Sequence, residues 1–348
     1  MKLELPISIV LLAAGGLLWA GQSKWLNFSL RRSGNSQSVE ASNDRARTNS
    51  GLLLSTAVPL TDAESSTANS QSAAFLQSVG ANLRLAPPFQ TEMQVQIQWS
   101  ERSYSIDGFY AQPGQGSGQS KMELRVGTGA DATTMTKICD GRFLYALQQR
   151  GTIKTVEFID LRRLQETRLS AGLAQSDNPL SWIATGGLAS LLENLAVAFN
   201  LGPAIVSEVN GIVLCTIEGD WRIQSLAELL GASIGSESER QSFLENLPPQ
   251  IPSRIRIELA NNPAFGWLPQ KLTFFRPKKN SSPTLMRMLA DVQFSAPASF
   301  VFDPDEFLHI NTDEVESTDV TDLYVEQVHD FGFARQASQS SGNATMLR

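Results

Sequence analysis

Between Glu92 and Trp99 the chain reads EMQVQIQW, in which Met93, Val95, Ile97 and Trp99 alternate without exception with Glu92, Gln94, Gln96 and Gln98. Side chains of a strand point to opposite faces with a period of two, so this run belongs in a sheet with one face in an apolar interior and the other in water. A helix would scatter the same four apolar residues around its circumference. Further short runs of strand-forming residues follow: YSIDGFYAQ (104–112), KMELRVG (121–127), TTMTKIC (133–139), RFLYALQ (142–148) and TIKTVEF (152–158). The links between them are short and carry Gly or Asp-Gly, which close hairpins. Parallel pairing needs a long crossover, so this part of the sheet is expected to be antiparallel.

Helical patterns flank the strands. Residues 71–85 place Ala74, Phe75, Val79, Leu83 and Leu85 at helical spacing and end at Pro87 and Pro88. A helical stretch begins near Asp160, and 181–199 is a second, strongly apolar one. A strand pair follows around Asn210-Gly211, then two helical runs, then strands at 253–259, 267–275 and 287–295. Ile255, Ile257 and Leu259 of the first of these alternate with charged residues. Helix, hairpin strands, helices and strands again, with no repeat period, give one α+β domain over residues 71–330.

Lys2 precedes the apolar run Leu5–Ala20, the order of an export signal, so residues 1–24 are expected to be a signal peptide or an uncleaved anchor. The run is short for a bilayer span, and Lys24, Arg31 and Arg32 on its far side compete with Lys2 for orientation. Residues 25–70 are rich in Ser, Asn, Thr and Gln and read as a flexible tether; 331–348 read as a frayed tail. The expected location is extracytoplasmic, in the periplasm or cell envelope, with the membrane met through the N-terminal segment.

The chemistry-bearing residues are sparse. A net charge of −7 argues against a nucleic-acid partner. Cys139 and Cys215 are the only cysteines, which excludes a disulfide framework and a four-ligand zinc site; two buried thiols and a single bridge both remain open. His309 and His329 adjoin no nucleophile motif. GQGSGQS (114–120) has the glycines of a phosphate loop but falls between two hairpin strands, without the helix that such a loop needs, and reads as a flexible hairpin tip. Asp303, Asp305 and Glu314 match three positions of a calcium loop, but Leu308 stands where that loop requires glycine. No cofactor, no metal and no catalytic residue is expected.

Three segments in order carry a resemblance. ICDGRFLYALQQRGTIKTVEF places Asp140 and Gly141 at a turn, with Phe143, Leu144 and Tyr145 in the strand after it. WLPQKLTFF (267–275) and VQFSAPASFVFDPDE (292–306) follow. Together they resemble the LolA/LolB and LppX-like lipoprotein-carrier superfamily. The chain departs from that pattern at Gln112, where a basic residue usually precedes the proline, and at Asp305, in place of a second proline. The resemblance implies a curved antiparallel sheet forming an unclosed half-barrel, covered on its concave face by helices, with acyl chains or lipids held between them. It therefore implies a non-enzymatic carrier or sensor whose partners are lipids or acylated proteins. Met93, Val95, Ile97 and Trp99 would line the sheet; Leu188, Leu191, Leu192 and Leu195 would form part of a lid; Phe143, Tyr145, Ile255 and Ile257 complete the set. The alternative is that the same residues fill a core, in a membrane-tethered structural or protein-interaction module whose protein partner the sequence does not identify.

Overall fold

A computed structural model describes residues 62–99, 102–127, 129, 132–170, 187–223, 226–227, 234, 236–246, 252–277, 286–307, 315 and 317–326. The alternating runs all form strands. They are β1 (Phe89–Trp99), β2 (Arg102–Gln112), β3 (Ser120–Val126), β4 (Thr133–Cys139), β5 (Phe143–Arg150) and β6 (Ile153–Asp160). After two helices come β7 (Phe199–Leu201), β8 (Ile205–Val209), β9 (Ile212–Trp221), β10 (Arg254–Asn262), β11 (Gly266–Pro277), β12 (Met286–Phe294), β13 (Ala298–Ser299) and β14 (Ser317–Asp319). The helices that matter are α1 (Asp62–Leu85), α2 (Leu161–Ser170) and α3 (Gly187–Ala198).

Among the described residues the strands form one sheet in the order β14-β6-β5-β4-β3-β2-β1-β12-β11-β10-β9-β7, with β13 on β1 and β8 on β9. Every pairing is antiparallel except β14 on β6. The end strands β14 and β7 do not pair with each other, so the sheet is an unclosed half-barrel in an α+β fold. The expected turns hold the hairpins. Asp140 Oδ1 accepts from the N–H groups of Arg142 (2.7 Å) and Phe143 (2.6 Å). Asn210 and Gly211 both have positive φ (53° and 78°), the two-residue hairpin geometry that matches strand twist.

Register carries the alternation across the sheet. Met93 lies opposite Gly108 and Phe294, Val95 opposite Ile106 and Val292, and Ile257 opposite Leu272 and Ile217. These residues face inward and join Leu76, Val79 and Leu83 of α1 and Leu188, Leu191, Leu192 and Leu195 of α3 in one core. A smaller cluster at the β6 end packs Cys139, Leu144 and Ile159 against Leu164 of α2, Val320 and Tyr324.

Three expectations need correction. Helix α1 starts at Asp62, inside the segment read as tether. Tertiary bonds hold this part: the Asn69 side-chain oxygen accepts from Leu201 N–H (2.8 Å), and Ser72 donates to the Gly202 carbonyl (2.6 Å). The buried stripe of α1 is Leu76, Val79 and Leu83, whereas Leu85 is 70% exposed. The glycine-rich link 113–119 is no free tip. Gln115 and Gly116 donate to the carbonyls of Ala86 (3.2 Å) and Arg84 (2.8 Å), satisfying the last turn of α1. Gly114 makes this possible: its φ is +66°, and a Cβ there would stand 1.7 Å from the Ala86 carbonyl oxygen. The apolar run Leu5–Ala20, the tail, His309, Glu314 and His329 lie outside the described residues, within which no helix is long and apolar enough to cross a membrane.

Substituting Gly114→Ala is expected to cost on the order of 1–3 kcal/mol, because it combines a strained φ with a backbone collision. Urea unfolding monitored by circular dichroism checks this, and an unchanged midpoint contradicts the docked-loop description.

Candidate functional site

The lid is joined to the sheet by a relay of buried polar groups. Leu188 N–H, at the start of α3, donates to the Tyr110 hydroxyl oxygen (3.0 Å). Tyr110 O–H donates to the Gln112 side-chain oxygen (2.9 Å), and the Gln112 side-chain N–H donates to the Leu83 carbonyl near the end of α1 (2.6 Å). One pair of side chains on β2 thus fixes both helices over the sheet. Burial pushes the Tyr110 hydroxyl well above its ordinary range, so it keeps the proton that it donates. Gly187 allows the approach: its φ is +61°, and a Cβ there would stand 2.1 Å from the Tyr110 hydroxyl. Across the helix pair, Arg84 of α1 bonds and ion-pairs with Glu193 of α3.

A small cavity of about 20 Å³ lies beside this relay, lined by Met93, Tyr110, Ser120, Met122, Lys137, Cys139, Leu144, Gly187, Leu188, Val292 and Phe294. It has room for about one water molecule, far below the several hundred Å³ of ordinary ligand pockets.

The cavity has a polar end. Lys137 lies opposite Met122 on β3 and Ala146 on β5, so it shares the inward parity of Met135 and Cys139. It is only 8% exposed, and burial brings its ammonium down from 10.5 to about 7. Burial also raises the Cys139 thiol. One strand beyond Ala146 in the same row stands Glu157, which burial pushes up to about 7. Cys139 on β4 and Cys215 on β9 are both buried, and neither is in a disulfide among the described residues.

The residues expected at the site divide into three groups. Met93 and Leu188 line the cavity. Val95, Ile97, Leu191, Leu192, Leu195, Ile255 and Ile257 sit in the same core but do not line this cavity. Phe143 and Tyr145 are on the wrong side. Leu144 faces inward, so its neighbours project to the opposite face, where they pack with Phe158 at centroid distances of 5.8 and 6.1 Å. The side chain of Trp99 lies outside the described residues. Sequence reasoning missed Tyr110, Lys137 and Ser120. The signal was present in TTMTKIC, where Lys137 takes the place of an inward apolar residue between Met135 and Cys139.

These features define a helix-covered antiparallel half-barrel whose largely apolar interior holds a few buried polar side chains, Gln112, Ser120 and Lys137 among them. No protein-family model matches the chain, and no curated protein does. Similar solved structures include the MucA/MucB complex of Pseudomonas aeruginosa, at 14% identity over 69% of this chain and 61% of that one with a TM-score of 0.33. LprF from Mycobacterium bovis is similar at 12% identity over 67% and 95%, TM-score 0.31. The LolA superfamily protein NE2245 from Nitrosomonas europaea is similar at 10% identity over 67% and 96%, TM-score 0.27. The chain spans less than two thirds of MucB, 63% of its length. The superfamily that the sequence segments resemble is thus among the similar structures.

Two outcomes are expected. Tyr110→Phe leaves Leu188 N–H and the Gln112 side-chain oxygen without their partner and should cost roughly 1–3 kcal/mol in urea unfolding, since unsatisfied buried groups carry their desolvation penalty; a neutral effect contradicts the relay. The second concerns pH. Below about 7 Lys137 is protonated in both folded and unfolded chains, and its burial cost is fully present. Between about 7 and 10.5 only the unfolded chain holds the proton, so this group's contribution to stability rises with pH. Relative to Lys137→Met, the unsubstituted chain should therefore gain roughly 1–3 kcal/mol of stability between pH 6.5 and pH 10. A pH-independent difference contradicts the burial of a titrating ammonium.

Proposed function

We propose that this chain is a non-enzymatic extracytoplasmic carrier or sensor that takes an acyl chain or lipid between the concave face of its sheet and the helices α1 and α3. The observation that carries the reading is the way the interior is closed. A continuous apolar sheet face is covered by two helices, and a relay through Tyr110 and Gln112 fixes both beside a cavity. The export-like N-terminus supports the location and a membrane attachment.

Because the leucines of α3 are buried against the sheet, binding is an exchange. Lifting Leu188, Leu191, Leu192 and Leu195 off the sheet exposes four buried leucines, at roughly 1.5–3 kcal/mol each. An acyl chain of about 14 carbons entering in their place contributes about 10 kcal/mol at ~0.8 kcal/mol per CH₂. The two terms nearly balance, so binding is weak and reversible, as handing a ligand on requires. Native mass spectrometry of gently purified full chain is expected to detect bound lipid, and delipidated chain to take up dodecanol. A chain that arrives empty and takes up no alkyl ligand overturns the proposal.

The cavity's small size favours a second reading, a protein-interaction module with a filled core. Its surface would be β8, in which all five residues are exposed, with Ile205 and Val206 each 63% exposed on opposite faces. Among the described residues β8 pairs only with β9, so its other edge offers backbone groups to an extended segment of a partner protein. Val206→Pro should abolish partner capture on this reading and leave dodecanol uptake unchanged on the first.

A further inference from the structure

We propose that residues 317–326 are a plug for the far end of the ligand's alkyl chain: Val320 and Tyr324 hold the apolar place that the chain takes, and the segment leaves the sheet when the chain arrives. The inference rests on the acyl-binding reading above and adds where a ligand goes beyond a cavity of about 20 Å³.

The lining of the cavity and the seat of the plug share residues. Cys139 and Leu144 line the cavity. Both also belong to the smaller cluster, in which Ile159 of β6 and Leu164 of α2 pack with Val320 and Tyr324. The apolar surface that begins in the cavity thus runs on beneath residues 317–326. With Val320 and Tyr324 withdrawn, the space extends along β5 and β6 between Leu144, Ile159 and Leu164, which suits an alkyl chain and no polar ligand.

The plug is held lightly for a part of the core. Its strand β14 has three residues, all exposed, in the one parallel pairing among the described strands, the less stable kind. It ends the sheet, with β6 as its only strand neighbour among the described residues. Beyond β14, Val320 N–H donates to the Phe158 carbonyl (3.1 Å) and Asp160 N–H donates to the Thr321 hydroxyl oxygen (2.9 Å). Arg163 pairs with Asp322 at the surface, where an ion pair adds little. Val320, Thr321 and Tyr324 are the buried residues of the segment.

A carboxyl group loosens the seat further. Glu157 of β6 lies opposite Thr318 on one side and Ala146 on the other, and neither offers it a charge. Burial pushes Glu157 up to about 7, so at neutral pH part of the population carries a poorly solvated charge beside the plug. Burial first, and the Glu157 carboxylate second, raise the Tyr324 hydroxyl, so this carboxyl acts on the aromatic residue of the plug itself.

Hydrogen exchange on the unsubstituted full chain at pH 7 tests the plug, with dodecanol as ligand. Binding is expected to speed exchange of the Val320 and Asp160 amides at least tenfold, while the paired amides of β1 and β2 stay as slow or become slower. Dodecanol that binds and leaves those two amides unchanged or slower overturns the plug and leaves the acyl-binding reading standing. The double variant Glu157→Cys, Thr318→Cys ties the plug to β6 through two positions that lie directly opposite. In calorimetry its oxidised form should bind dodecanol at least tenfold more weakly than its reduced form; equal affinity in the two forms overturns the plug as well. A chain that binds no dodecanol removes the reading beneath and this inference with it. The exchange measurement decides the matter even where the double variant fails to fold.

Discussion

The concave face of this sheet must be kept from water, and two helices are the means. Burial of an apolar surface is non-directional and holds the helices down without fixing where they sit. The direction comes from the relay Leu188–Tyr110–Gln112–Leu83, which joins the first turn of α3 to the last turns of α1 through two residues of one strand. The glycine-rich link after β2 adds to the same joint by capping α1. The sheet, the lid and the cavity meet there, and the rest of the architecture follows from the strand alternation laid over it.

Much of this was legible before any coordinates. The strands, their hairpins and the inward set Met93, Val95 and Ile97 follow from a period of two, which needs no long-range information. The β7 pairing, the start of α1 at Asp62 and the docking of 113–119 were not legible, because each depends on bonds between residues far apart in sequence. Phe143 and Tyr145 show a different limit. The resemblance placed both in the inward set, but parity decides the face, and Leu144 holds the inward position between them. Gln112 is the instructive departure. It stood out only as a missing basic residue, and it turns out to be the side chain that reaches α1.

Lys137 is a buried cation on the inward face of β4, in a row that is otherwise mostly apolar. A filled core and a collapsed binding site look alike when every lining residue is greasy. On the proposed reading, the near balance between lid leucines and an incoming acyl chain makes a closed state with α3 packed on the sheet compatible with a carrier.

The central claim is that α3 is a lid that leaves the sheet while the sheet stays folded. Native-state hydrogen exchange measures this directly. The amides of 189–198 should exchange through an opening several kcal/mol below global unfolding, while the paired amides of β1, β2 and β12 exchange only through global unfolding. Exchange of α3 at the same free energy as those central strands would show that the helix is a fixed part of the core, and would contradict the account.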